Sequence, residues 1–372
     1  MPTTHSVRMR LPLLALALLA LLAALWAGLL RIGWAVPSFA PGLALAHGPL
    51  IVAGFLGTLI SLERAVALER RWAYLAPLLH ALGALLALAL PGPLGPLLIA
   101  LGACMLVLMF GVILRRQPAL FIGVMLAGAL IWLIGNLLWL SGQSIPAVVP
   151  WWIGFLVLTI AGERLELGRL RLLPVAATTT FLVIVGWLGS GLLATMLVLD
   201  LGVRIVGGSL VALALWLLRY DIARRTIRRS GVTRFIAVCM LSGYGWLGVS
   251  GVLGSFFGGV VAGLRYDALL HTLFLGFVFA MIFGHAPIIL PAVLRMPVTF
   301  SRSFYAPLIL LHLSLALRVT GDLLVWPEAR RWGGLLNVLV LLIFIANTLR
   351  VIRRSQATQR RTTTPTPVPI PH

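Results

Sequence analysis

Acidic residues, lysine and cysteine are all scarce in this chain. Of its 372 residues nine are Asp or Glu, two are Cys and none is Lys. Cys104 and Cys239 both sit inside apolar runs without Cys-x-x-Cys spacing. That excludes a disulfide framework and a thiolate metal site, and reads both as packing residues. Charged residues make up only 10% of the chain, against about 25% in soluble domains, so no sizeable water-facing domain can be assembled from it. The carboxylates also keep away from the middle of every apolar run. Glu63, Glu69, Glu163, Glu166 and Asp221 fall beside arginines at one end, and Asp200, Asp267, Asp322 and Glu328 at the other. A proton- or sodium-coupled pump built on a mid-membrane carboxylate is therefore not expected.

What is present is apolar: 61% of residues are hydrophobic and the mean hydropathy is +1.08. A helix needs about 20 apolar residues to cross a bilayer, and twelve such runs are predicted, at 12–30, 47–63, 73–91, 95–114, 119–140, 146–162, 174–198, 202–219, 233–256, 267–290, 304–323 and 333–352. The fold class is all-α integral membrane, with the lipid bilayer as its main partner. The basic residues are all Arg, clustered between runs. With both termini in the cytoplasm, most of them lie on that side, including Arg64, Arg70, Arg71, Arg115, Arg116, Arg164, Arg169, Arg171, Arg295, Arg302 and the group from Arg219 to Arg234, which is the charge asymmetry of an inner-membrane protein. Clusters that set topology in this way account for the formal charge of +20 without a nucleic-acid partner.

The domain organisation follows. Residues 1–355 form one polytopic domain, and the Thr- and Pro-rich tail 356–372 is expected to be disordered and cytoplasmic. Arg8 and Arg10 before a leucine-rich stretch look like the start of a signal peptide, and Ala44-Leu45-Ala46 like a cleavage site. The apolar core is nevertheless long enough to span, and the small-residue site lies too far beyond it, so a retained first helix is expected.

A repeat runs through the second, sixth and tenth runs. Gly54-Phe55-Leu56 precedes Glu63-Arg64, Gly154-Phe155-Leu156 precedes Glu163-Arg164 at the same spacing, and Gly276-Phe277-Val278 precedes His285 where the others carry Glu. A period of four helices implies three four-helix units rather than two six-helix halves. The ninth run carries Gly243, Gly245, Gly248, Gly251 and Gly254, spacing that lets a neighbouring helix approach closely. Trp34, Trp72, Trp151, Trp152, Trp326 and Trp332 lie near run ends and read as an interfacial belt.

Five histidines fall in the runs: His47, His80, His271, His285 and His312. Imidazole in hydrocarbon needs a partner, either a metal or a hydrogen bond to another helix, and both readings stay open for each ring. His47 and His271 open the second and tenth runs, which point the same way, so the two rings share a depth near the outer surface. His285 lies 14 residues beyond His271, within about 40° of the same face but about 21 Å deeper. It would belong to a separate inner site, beside the kink expected at Pro287. His312 and His80 are further metal-ligand candidates. Arg31, Arg265 and Arg318 lie near the outer surface, where they could pair with anionic groups or anchor the interface.

His271-Thr272-Leu273-Phe274-Leu275-Gly276 with Met281 resembles the helix of NnrS-type membrane proteins in which Gly follows His by five residues and Met by ten. His47 with Gly54-Phe55 is similar to that family's His-bearing second helix, although Pro49 stands where the family places another His and no Gly-His-Thr-Gly run follows Met281. The resemblance implies a twelve-helix plan similar to the catalytic subunit of haem-copper oxidases, with His47 and His271 as ligands of a haem from helices 2 and 10. It further implies a bacterial inner-membrane protein linked to nitric oxide and nitrosative stress or to electron transfer, with a small diatomic ligand and copper as a second metal. The sixth and seventh runs contain no His, so an oxidase-type copper centre is not expected. The residues alone leave a cofactor-free permease for a small solute as the alternative. The topology is testable directly: a reporter fused after His372, or inserted between Arg219 and Arg234, is expected to act as cytoplasmic, and a periplasmic signal at either point would refute the helix count.

Overall fold

The computed structural model describes residues 5–40, 42–168, 173–294 and 300–363. Arg169, Arg171 and Arg295, placed on the cytoplasmic side above, lie outside them, as does the tail beyond Thr363. Among the described residues there is no strand, and twelve helices are long and apolar enough to cross a membrane. They are α1 (Arg10–Arg31), α2 (Leu43–Leu68), α3 (Arg71–Ala89), α4 (Leu94–Arg116), α5 (Leu120–Leu140), α6 (Ile145–Gly168), α7 (Val175–Thr195), α8 (Leu199–Tyr220), α9 (Gly231–Phe257), α10 (Leu264–Pro291), α11 (Arg302–Leu323) and α12 (Pro327–Gln356). The all-α, multi-pass class expected from hydropathy is the one found. Outward-facing Leu193, Leu215 and Leu313 remain more than half exposed, as side chains solvated by lipid should be.

The last helix differs from expectation at both ends. It opens at Pro327, whose missing N–H costs nothing in a first turn, and continues to Thr363. Its 37 residues give a length of about 55 Å at 1.5 Å per residue, so the stretch up to Thr363 extends the helix rather than starting the tail. The tryptophans also divide. Trp326 and Trp332 are more than half exposed, as an interfacial belt requires, whereas Trp151 and Trp152 are buried in the interior face of α6.

Chain neighbours pack against each other in sequence, and α1 also meets α10 and α12. Three helices are far more enclosed than the rest: the central windows of α2, α6 and α10 are 61%, 83% and 67% buried, while no other exceeds 50%. These are the helices that carry the Gly-Phe frame, and the glycines explain why. A Cβ on Gly54 would lie 2.8 Å from Ala20 of α1 and 2.9 Å from Ala84 of α3; one on Gly154 would meet Leu192 of α7 and Ile131 of α5; one on Gly276 would meet Trp246 of α9 at 2.5 Å. At Gly54 and Gly276 the helix is packed so closely on its neighbours that a side chain would force them to shift, while at Gly154 the neighbour is the flexible end of Leu192.

Ion pairs form near the C-terminal ends of α2 and α6, just beyond the Gly-Phe frame. Arg64 of α2 binds Glu163 of α6 through Nη2 and Oε1 at 2.6 Å, and also Glu63 at 3.0 Å. Next to it, Arg164 donates to Asp221 through Nε at 2.8 Å and Nη2 at 3.1 Å, with both side chains almost fully buried. Removing one partner of such a buried pair leaves an uncompensated charge, a loss of about 3–5 kcal/mol.

Regular helix is interrupted at matching places in α2 and α10. Each contains an eight-residue π-helical segment, Leu50–Gly57 and Thr272–Phe279, beginning just after His47 or His271. Such wide turns are uncommon and concentrate at functional sites. The packing account is testable by thermal unfolding in detergent: Gly54→Val and Gly276→Val are each expected to destabilise by about 1–3 kcal/mol through overpacking, whereas Gly186→Val, which meets nothing within 4 Å, is expected to leave the midpoint unchanged.

Candidate functional site

The two rings expected to lie at equal depth do meet. His47 enters from the first turns of α2 and His271 from the second turn of α10; their centroids are 6.3 Å apart and their planes 27° from parallel. Both line a cavity of about 520 Å³ whose wall also draws on α1, α6, α11, α12 and the α9–α10 loop.

Each ring is held through Nδ1. His47 Nδ1 lies 2.7 Å from the Ala24 carbonyl of α1, and His271 Nδ1 lies 2.8 Å from the Asp267 carbonyl one turn back on its own helix. A carbonyl only accepts, so Nδ1 must carry the proton in both rings. The tautomer thereby fixed leaves each Nε2 with its lone pair, which is the state in which imidazole binds a metal. His47 owes its position to a residue the sequence did not flag: a Cβ on Gly28 would come 3.1 Å from the His47 Cε1, so the ring rests directly on the α1 backbone.

Charge around the cavity is asymmetric. Among the described lining residues, Asp267 is the one carboxylate, and Arg31 and Arg318 are the cations. Arg318 forks onto Asp267 through Nε at 2.8 Å and Nη2 at 2.9 Å, while Arg31 uses Nη1 on the Ala44 carbonyl. Leu25, Val52, Phe274, Leu275 and Leu341 make much of the remaining wall, and Phe279 at the wall stacks on Phe55 at 5.9 Å. Arg265, grouped with Arg31 and Arg318 from sequence, instead covers the Phe257 ring at 4.9 Å and does not line the cavity.

The other histidines are elsewhere. His312 has both ring nitrogens engaged: Trp246 Nε1 donates to Nδ1 at 3.0 Å, and Nε2 meets Ser242 Oγ at 2.9 Å. It is a polar bridge between α11 and α9 and has no lone pair left for a metal. His80 is saturated in the same way by Ser61 at 3.0 Å and Trp132 Nε1 at 3.0 Å. His285 donates Nδ1–H to the Met281 carbonyl at 2.7 Å and lies off the cavity, toward the C-terminal end of α10. Among the described residues no three of His, Cys, Asp or Glu gather so that they could hold a metal ion. A bare ion would thus find too few protein donors, whereas a metal that brings its own equatorial ligands needs only an axial pair. The donor set and the apolar walls fit that second type, haem above all.

Fold and site together define a multi-pass all-α membrane protein with a cavity lined by two imidazoles near the N-terminal ends of α2 and α10. The chain belongs to the family described as Domain of unknown function (DUF8744), which matches it over residues 10–353. No curated protein matches it.

Proposed function

We propose that this protein holds a haem between His47 and His271, in the outer half of a bacterial inner membrane with both termini cytoplasmic, and passes electrons through it. The observation that carries the reading is the pair of imidazoles, drawn from helices eight apart, fixed in the same tautomer and facing one cavity at 6.3 Å between centroids. His47 and His271 would hold the iron through their Nε2 atoms, and their ring separation is compatible with imidazole–iron bonds of about 2 Å. Haem when bound would supply a one-electron redox centre at this point.

The protein's own residues contribute position, insulation and charge. The Ala24 and Asp267 carbonyls orient the rings, the apolar wall excludes water, and Arg31 offers a cation to the propionates. With His47 and His271 both holding it, the haem would be left without an open site for a small diatomic ligand, which favours electron transfer as its role. The connection to nitric oxide and nitrosative stress rests on the NnrS resemblance of helices 2 and 10. Copper is the weaker choice, because a copper(II) ion would need donors beyond two imidazoles.

Protein expressed with ample haem and purified in detergent is expected to show a Soret band. His47→Ala and His271→Ala should each abolish it, while His80→Ala, which alters a ring outside the cavity, should retain it. Wild-type protein without Soret absorbance would contradict the reading and leave a permease for a small solute as the better account.

A further inference from the structure

The two imidazoles of the pair are not equivalent. His47 Nδ1 faces the Ala24 carbonyl. His271 Nδ1 faces the Asp267 carbonyl at 2.8 Å and, in addition, the Asp267 carboxylate, whose Oδ1 stands off at 3.5 Å. A carboxylate at full hydrogen-bonding distance from Nδ1–H gives the imidazole partial imidazolate character and makes it a stronger donor to a metal. Here it stops short of that distance.

The reason lies on α11 and α12. Arg318 takes both carboxylate oxygens in a fork, Nε to Oδ2 at 2.8 Å and Nη2 to Oδ1 at 2.9 Å. Arg330 adds Nη2 at 3.7 Å to the same Oδ1 while its Nε lies 3.1 Å from Asp322. The oxygen nearest the imidazole is the one both guanidinium groups approach. The clamp is itself firmly seated: Arg318 is buried, and a Cβ on Gly333 of α12 would come 2.6 Å from its backbone nitrogen.

We infer that Arg318 is a positioning residue that holds the Asp267 carboxylate off His271 and so sets how strongly that ring donates to a bound metal. The inference rests on the haem reading for its redox consequence, but the hydrogen bond it concerns belongs to the protein alone. Lys at position 318 would keep the positive charge and lose the two-point fork, because an ammonium is a point charge that cannot hold two oxygens in one plane. The carboxylate would then be free to close on Nδ1–H.

Arg318→Lys is therefore the discriminating variant, compared with Asp267→Asn and the double variant by redox titration of the haem-loaded protein. The ligand set is expected to favour the oxidised over the reduced state by a further factor of about ten in Arg318→Lys, the lower end of outer-shell effects, which lowers the midpoint potential by about 59 mV for one electron. In the Asp267→Asn background the same Lys substitution is expected to have no effect. An Arg318→Lys potential equal to that of the wild type, or a shift that persists undiminished without Asp267, would overturn the inference in favour of net charge alone. If Arg318→Lys does not retain the fold, Arg330→Lys should give a smaller, Asp267-dependent shift of the same sign, and its absence is equally decisive. The nitrogen-15 resonance of His271 Nδ1 in haem-free protein reads the same contact. It is expected to move in Arg318→Lys and not in the double variant, so that failure of haem binding and failure of this clamp are told apart.

Discussion

Two hydrogen bonds, from the Nδ1–H groups of His47 and His271 to backbone carbonyls, are the constraint on which the site depends. In hydrocarbon an imidazole cannot leave its N–H to water, so the ring turns until a carbonyl accepts it. For His47 the acceptor is on another helix, Ala24 of α1, and reaching it requires the bare backbone of Gly28 beneath the ring. For His271 it is the carbonyl one turn back. Once both Nδ1 atoms are committed, the lone pairs of the two Nε2 atoms are the polar feature each ring has left to offer. His80 and His312 show the opposite outcome of the same rule: a Trp and a Ser saturate both nitrogens, and the ring becomes a helix-to-helix bridge.

The rest of the architecture keeps the two rings together. Gly54 and Gly276 allow close packing of α2 and α10 on their neighbours, and α2, α6 and α10 are the most enclosed of the twelve helices. Ion pairs near the C-terminal end of α6 link it to its neighbours, Arg64 of α2 with Glu163, and Arg164 with Asp221 just after α8. Phe279 of the cavity wall stacks on Phe55 of α2. Ion pairs thus lie near the C-terminal ends of α2 and α6, and the open cavity near the N-terminal ends of α2 and α10, where the imidazoles are.

Much of this was legible in the sequence because lipid permits few alternatives. Twelve apolar runs had to be twelve helices, and the Gly-Phe frame in the second, sixth and tenth runs falls on the three most enclosed of them. Equal depth for His47 and His271 followed from their places at the start of parallel helices. Other features had no local signature. Nothing near Gly28 marks it as the seat of a ring 19 residues on, and the partners of His312 on α9 are set by tertiary packing alone. The π-helical segments reflect a change of hydrogen-bond register that no residue type announces. Asp267 did carry a signal, its position four residues before His271 on one helix face, but Arg318 lies 51 residues further on and only the fold brings it near. Trp151 and Trp152 misled because a tryptophan near a helix end can face the interface or the interior, and α6 is the most enclosed helix of all.

The central claim is that one cavity presents two imidazole nitrogens to a single haem. Electron paramagnetic resonance of the ferric, haem-reconstituted wild-type protein tests it most directly, since it reports the axial ligands rather than mere binding. The account predicts one haem per chain with a low-spin signal of bis-imidazole type. A high-spin signal, or haem that remains unbound at equimolar ratio, would contradict it.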